Sequence, residues 1–132
     1  MNRTELPPGP HMAAVQTVSY MLDPYGTYAR RTKEYGDPVL LLAHEPDFAD
    51  FAAFYPVDLQ LSGHSHGGQI VAPIMGAPYL PPMGRKYVRG RFRVRKMQLY
   101  TNRGIGVGGA PVRYNAPPEV TLMRLQCAAI SC

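Results

Sequence analysis

Two short apolar runs, PVLLLA at 38–43 and VDLQLSG at 57–63, each end directly on a histidine, His44 and His64. Continuous apolar residues over so short a span, after the turn-like GDP, suit a buried strand. The second run alternates Val57, Leu59 and Leu61 with polar neighbours, the period of a strand. The stretch between them reads as a helix. Pro46 fits the first helical position, where its missing N–H would be unpaired anyway, and Asp47 favours the positive end of the helix dipole. Phe48, Phe51, Ala52 and Tyr55 share one face at helical spacing, and Pro56 stops the helix. A crossover of this length joins parallel strands and is right-handed.

This arrangement constrains function as well as fold. Ligands of open α/β sheets gather at the C-terminal ends of the strands. His44 and His64 both stand at such an end, and His66 lies on the same side if the chain stays extended. The chain has only four histidines, so three of them converge here. Gly63, Gly67 and Gly68 let the backbone come close and take unusual dihedrals. Neutral imidazole is a common ligand for zinc, iron and manganese, so the cluster predicts a metal site built on His44, His64 and His66. Residue types leave two chemistries open. One is a mononuclear three-histidine site with a position open to water. The other is half of a two-metal site, which needs an oxygen ligand bridging the ions.

The rest of the chain is read more coarsely. Residues 1–22 are weakly patterned, with LPPGP as coil and His11 as an exposed loop residue. TYARRTKEYG (27–36) predicts a short polar helix ended by Gly36. QIVAPI (69–74), KMQLYTN (96–102) and EVTLMRLQ (119–126) read as strands. RKYVRGRFRVRK (85–96) alternates, with Tyr87, Arg89, Arg91, Arg93 and Arg95 on one side and Val88, Phe92 and Val94 on the other. That predicts a half-buried edge strand whose charge blocks further pairing. RGIGVGG (103–109) reads as a turn-rich loop, because the prolines beyond it oppose a helix. Arg103 in that loop is a candidate contact for a substrate phosphate.

A chain of 132 residues suits one domain with a real core. The net charge of +5 favours an anionic partner without naming one, and the arginine face at 89–95 could meet anionic lipid headgroups. Aromatic residues are too sparse among the arginines for a single-stranded nucleic-acid platform. No apolar run is as long as a membrane span, and the N-terminus lacks the pattern of a secretory signal. The two cysteines, Cys127 and Cys132, read as incidental thiols of a reducing compartment. The expected location is cytoplasmic, with peripheral membrane contact compatible with the basic strand.

Four segments also carry a family resemblance. LLLAHEPDFAD (40–50), DLQLSGHSHGGQIVAP (58–73), PPMGRKYVRG (81–90) and LYTNRGIGVGGAPVRYNAPPEVTLMRL (99–125) occur in an order that resembles the C-terminal half of the calcineurin-like metallophosphoesterases. The nearest pattern is the bacterial Gly-His-Thr-His-Gly-Gly-Gln, with Ser65 in place of the threonine. The resemblance implies a sandwich of two mixed β-sheets flanked by helices, and a two-metal phosphoesterase using manganese, iron or zinc, with a phosphoester as its partner. It implies that His44 and His64 bind the second metal and His66 the first. The family's Asp-x-His, Gly-Asp-x-x-Asp and Gly-Asn-His motifs are absent from this sequence. The expected organisation is therefore a weakly patterned segment over 1–22, the C-terminal portion of a metallophosphoesterase domain over 23–126, and a tail over 127–132. Such a portion is expected to be nearly inactive alone and prone to self-association.

Overall fold

The computed structural model describes the backbone of residues 11–15 and the whole of residues 38–125. The helix expected over 27–36 and the two cysteines lie outside the described residues. Five strands form one mixed sheet in the order β1-β2-β3-β5-β4. They are β1 (His11–Val15), β2 (Val39–Ala43), β3 (Leu59–Ser62), β4 (Gly90–Val94) and β5 (Met97–Thr101). β1, β2, β3 and β5 run parallel, and β4 returns antiparallel on β5. The second sheet that the resemblance implies is not found among the described residues. The α/β class is as expected; the described part is a single sheet with little helix.

The β2–β3 unit forms as its sequence predicts, with a much shorter helix. A 3-10 turn over Pro46–Phe48 leads into helix α1 (Ala49–Ala52). Phe48, Ala49 and Ala52 are buried and pack with Leu41, Ala43, Met97, Leu99, Val94 and Tyr87. Phe51 departs from the expected face: it is exposed, and stacks at 5.4 Å on Phe48 and 5.2 Å on Tyr55. A 3-10 turn advances the chain by more than 100° per residue, which swings Phe51 out of the face a regular α-helix would present.

The alternation in β3 is the reverse of the one expected. Gln60 and Ser62 are buried, whereas Leu59 and Leu61 are only half-buried. Gln60 is retained inside because its Nε2 donates to Ser62 Oγ and to the carbonyls of Glu45 and Pro46, which lie over the strand. β4 lies at the sheet edge with Arg91 and Arg93 exposed, the solvated basic strand the sequence predicts. Tyr87 is a correction: it is buried, edge-on to Phe92 at 5.1 Å, on the side opposite to the arginines. The chain is not yet a strand at residue 87, so the alternation counted back from Arg93 does not reach it.

Three further expectations are corrected. His11 begins strand β1, paired in parallel with β2, and is not part of a loop. Residues 69–74 form only isolated bridges, Ile70 with Tyr114 and Ala72 with Gly76, since a left-handed residue at Gln69 and a proline at 73 interrupt any ladder. Residues 119–125 form no strand. Val120 and Leu122 are 87% and 99% exposed, and an extended segment needs a paired neighbour to become a strand.

Candidate metal centre

Parallel register sets the site. Leu40 faces Leu59 and Leu42 faces Leu61, so the two strands end side by side. The Gly63 amide donates to the His44 carbonyl at 3.1 Å, extending the ladder by one step. The His44 and His64 rings then meet edge-on, with centroids 4.8 Å apart and planes at 63°. Two residues twenty positions apart in the chain are thus joined by the strand–helix–strand unit alone.

His66 is steered elsewhere. The chain does not stay extended past Gly63. His64, His66, Gly67, Gly68 and Gln69 all take positive φ, from 49° to 89°, and His66–Gly68 forms a 3-10 turn. Left-handed backbone at a non-glycine residue costs roughly 1–2 kcal/mol, so this turn is strained at both histidines. Ser65 anchors it, donating to the Val88 carbonyl and accepting from the Gly67 amide. Glycine is required at 67, where a Cβ would lie 2.4 Å from Arg103 Cγ. The His66 ring leans instead on the 103–110 loop, and a Cβ at Gly108 would stand 3.3 Å from its Cε1. Among the described residues no three His, Cys, Asp or Glu side chains stand close enough to hold one ion.

Each ring of the His-x-His pair has a partner that fixes one nitrogen. His64 Nε2 lies 2.9 Å from the Pro82 carbonyl, which only accepts, so Nε2 carries the hydrogen and the neutral ring's lone pair is on Nδ1. His66 Nδ1 lies 2.9 Å from Gln69 Oε1. A carbonyl or amide oxygen on the far nitrogen is the usual support of a metal-binding histidine. The paired imidazoles of His44 and His64 fit two positions of a zinc, iron or manganese shell. They supply no carboxylate, so they suit part of a site.

The loop carrying Pro82 is held by Asp47. Its carboxylate accepts from the Arg85, Lys86 and Tyr87 amides at 2.9–3.1 Å, and its own amide donates to the Met83 carbonyl. Sequence reasoning took Asp47 only as a helix-dipole residue. It also missed Arg113, whose guanidinium donates to the carbonyls of His66, Arg103, Gly104, Gly106 and Ala116 and ties the glycine loop to the histidine turn. Neither role has a local sequence signal, since every partner is distant or is backbone. Arg103 pairs through Nε with Glu119 at 2.6 Å. Tyr100, Thr121 and Arg103 hold the Glu119 carboxyl down to about 2.

A mixed α/β sheet with two histidines at adjacent parallel strand ends, followed by a strained glycine turn, is the arrangement the family resemblance implies for this part of the chain. The comparisons agree. The chain is 46% identical over 87 residues to the uncharacterized metallophosphoesterase YkuE of Bacillus subtilis, covering 66% of this chain and 30% of that protein. It is 41% identical over 88 residues to the phosphodiesterase YaeI of Escherichia coli, covering 67% of this chain and 32% of that protein. It is 35% identical over 97 residues to the UDP-2,3-diacylglucosamine pyrophosphatase LpxG of Chlamydia muridarum, covering 66% and 29%. The chain belongs to the metallophosphoesterase family, as a C-terminal portion of its domain. It spans about a third of the length of the curated relatives it matches. No family model and no solved structure matches it. Among the described residues no helix is long and apolar enough to cross a membrane.

Proposed function

We propose that this chain carries the histidine side of a two-metal phosphoesterase site that hydrolyses phosphodiester or phosphomonoester bonds. The observation that carries the reading is the 4.8 Å edge-on pair of His44 and His64 at neighbouring strand ends. In this reading His44 and His64 hold one ion and His66 the other. When bound, the metals polarise a phosphoryl oxygen and make a water nucleophilic near neutral pH. The chain's own contribution is orientation. The Pro82 carbonyl keeps the His64 lone pair on Nδ1, and Asp47 keeps Pro82 in place. Arg103, fixed through Nε by Glu119, is proposed to present its terminal nitrogens to a substrate phosphate.

The basic edge strand and the net charge of +5 support an anionic substrate, and the UDP-2,3-diacylglucosamine for which LpxG is named supports an acylated, phosphate-bearing one. Among the described residues no group of three His, Cys, Asp or Glu side chains is placed to hold an ion, and the sequence lacks the motifs expected to supply a bridging carboxylate. The isolated chain is therefore proposed to bind metal weakly and to turn over little. The test is hydrolysis of a generic phosphodiester with manganese, iron or zinc. A rate near background supports the reading, and robust turnover abolished by His64→Ala contradicts it.

A further inference from the structure

We propose that Gln69 is a positioning residue that fixes the tautomer of His66, leaving Nε2 as that ring's only lone-pair nitrogen. The proposal deepens the metal reading above by naming the ligating atom and the residue that selects it. It starts from the Gln69 amide, whose two ends are distinguishable here. One end lies 2.9 Å from the Gly108 carbonyl and 2.9 Å from the Ala110 carbonyl. Two acceptors at that end require the NH2 group. The other end lies 2.8 Å from the Gly108 N–H, which requires the oxygen. Reversing the amide would set oxygen against two oxygens and NH2 against N–H, so three backbone groups fix its orientation.

The consequence passes to the histidine. His66 Nδ1 lies 2.9 Å from that same oxygen, Oε1. An oxygen only accepts, so Nδ1 must carry the hydrogen. The neutral ring then holds its lone pair on Nε2, the opposite nitrogen from His64, whose Nε2 donates to Pro82. Two histidines one residue apart therefore present different nitrogens, each selected by an oxygen on a different loop. Gln69 itself sits at φ 49°, a strained conformation that sends its side chain back across the turn to His66 and the 108–110 loop. A Cβ at position 108 would stand 3.3 Å from His66 Cε1, so glycine there suits the close approach of this loop to the His66 ring.

The test reads the tautomers directly in the metal-free full chain, by long-range proton–nitrogen correlation of labelled histidines at about pH 9, where imidazole is neutral. Because no metal is added, failure here is distinguishable from failure of the metal reading. The wild type is expected to show His66 as the Nδ1–H form and His64 as the Nε2–H form. In Gln69→Ala, His66 is expected to move to the Nε2–H form favoured by free imidazole, while His64 keeps its signature and reports an intact turn. In Gln69→Glu, a carboxylate oxygen still accepts from Nδ1–H, so His66 is expected to retain the wild-type form although the contacts to Gly108 and Ala110 carbonyls are lost. His66 found as Nε2–H in the wild type, or unchanged in Gln69→Ala, overturns the proposal. The wild-type spectrum decides by itself should the alanine variant not fold.

Discussion

Asp47 and His64 are coupled through one loop: the Asp47 carboxylate holds the amides of residues 85–87, and the same loop presents the Pro82 carbonyl to His64 Nε2 at 2.9 Å. A carboxylate near the start of α1 thus anchors the loop whose Pro82 carbonyl meets a strand-end histidine. Asp47→Ala leaves three backbone donors without their acceptor, which costs about 2 kcal/mol for hydrogen bonds to a charged group. The expected result is a lower denaturant midpoint together with weaker zinc binding. Asp47→Asn, which keeps one acceptor oxygen, should fall between the two. Equal zinc affinity in all three proteins would show that the loop does not position His64.

Gly67 sits at φ 66°, and a Cβ there would overlap Arg103 Cγ at 2.4 Å. Gly67→Ala therefore combines backbone strain of roughly 1–2 kcal/mol with displacement of the Arg103 side chain. The expected outcome is destabilisation of about 2–3 kcal/mol by denaturant unfolding, with a smaller loss when combined with Arg103→Ala. Simple additivity of the two substitutions would contradict the contact.

Glu119 gives the fold an acid-sensitive joint. Its carboxyl lies at about 2 in the folded chain against an ordinary 4.5, chiefly through the Tyr100 hydroxyl, then Thr121 and Arg103, with partial burial opposing them. A depressed folded-state value means the stabilisation is present above 4.5 and is lost as pH falls toward 2. Glu119→Gln is expected to be less stable than wild type at neutral pH by roughly 1–3 kcal/mol. That gap should close as unfolding is measured at successively lower pH. A gap that stays constant would assign the stabilisation to packing.

Leu59 and Leu61 are half-buried on the sheet face opposite the core, and Val120 and Leu122 stand in solvent. Exposed branched side chains of this kind favour association, while the arginines of β4 oppose edge pairing. The isolated chain is expected to sediment as an oligomer and to bind a hydrophobic dye. A compact, dye-silent monomer with a sharp thermal transition would show that this portion closes its own core.

Much of the site was legible because it rests on register. Apolar runs of strand length, a proline-started crossover and terminal histidines are local signals, and together they place His44 beside His64. What followed Gly63 was not legible, because the expectation assumed extended backbone. Left-handed φ at His64 and His66 is a tertiary outcome, imposed by Ser65 on Val88 and by the close approach of Arg103 to Gly67. The buried Gln60 shows the same limit. Its alternation with leucines implies that it faces solvent, and the partners that meet it inside, Ser62 Oγ and the carbonyls of Glu45 and Pro46 folded over β3, are set by the fold. The strand expected at 119–126 had the right composition, but pairing depends on a neighbour that a single segment does not specify.

The central claim is that His44 and His64 share one ion. Zinc titration of the full chain, followed through the ring nitrogen resonances of labelled histidines, tests it directly. The account predicts that both rings shift along one isotherm, with His64 responding at Nδ1, and that His44→Ala weakens the His64 response at least tenfold. Separate isotherms for the two rings, or an unchanged His64 response in His44→Ala, would contradict it.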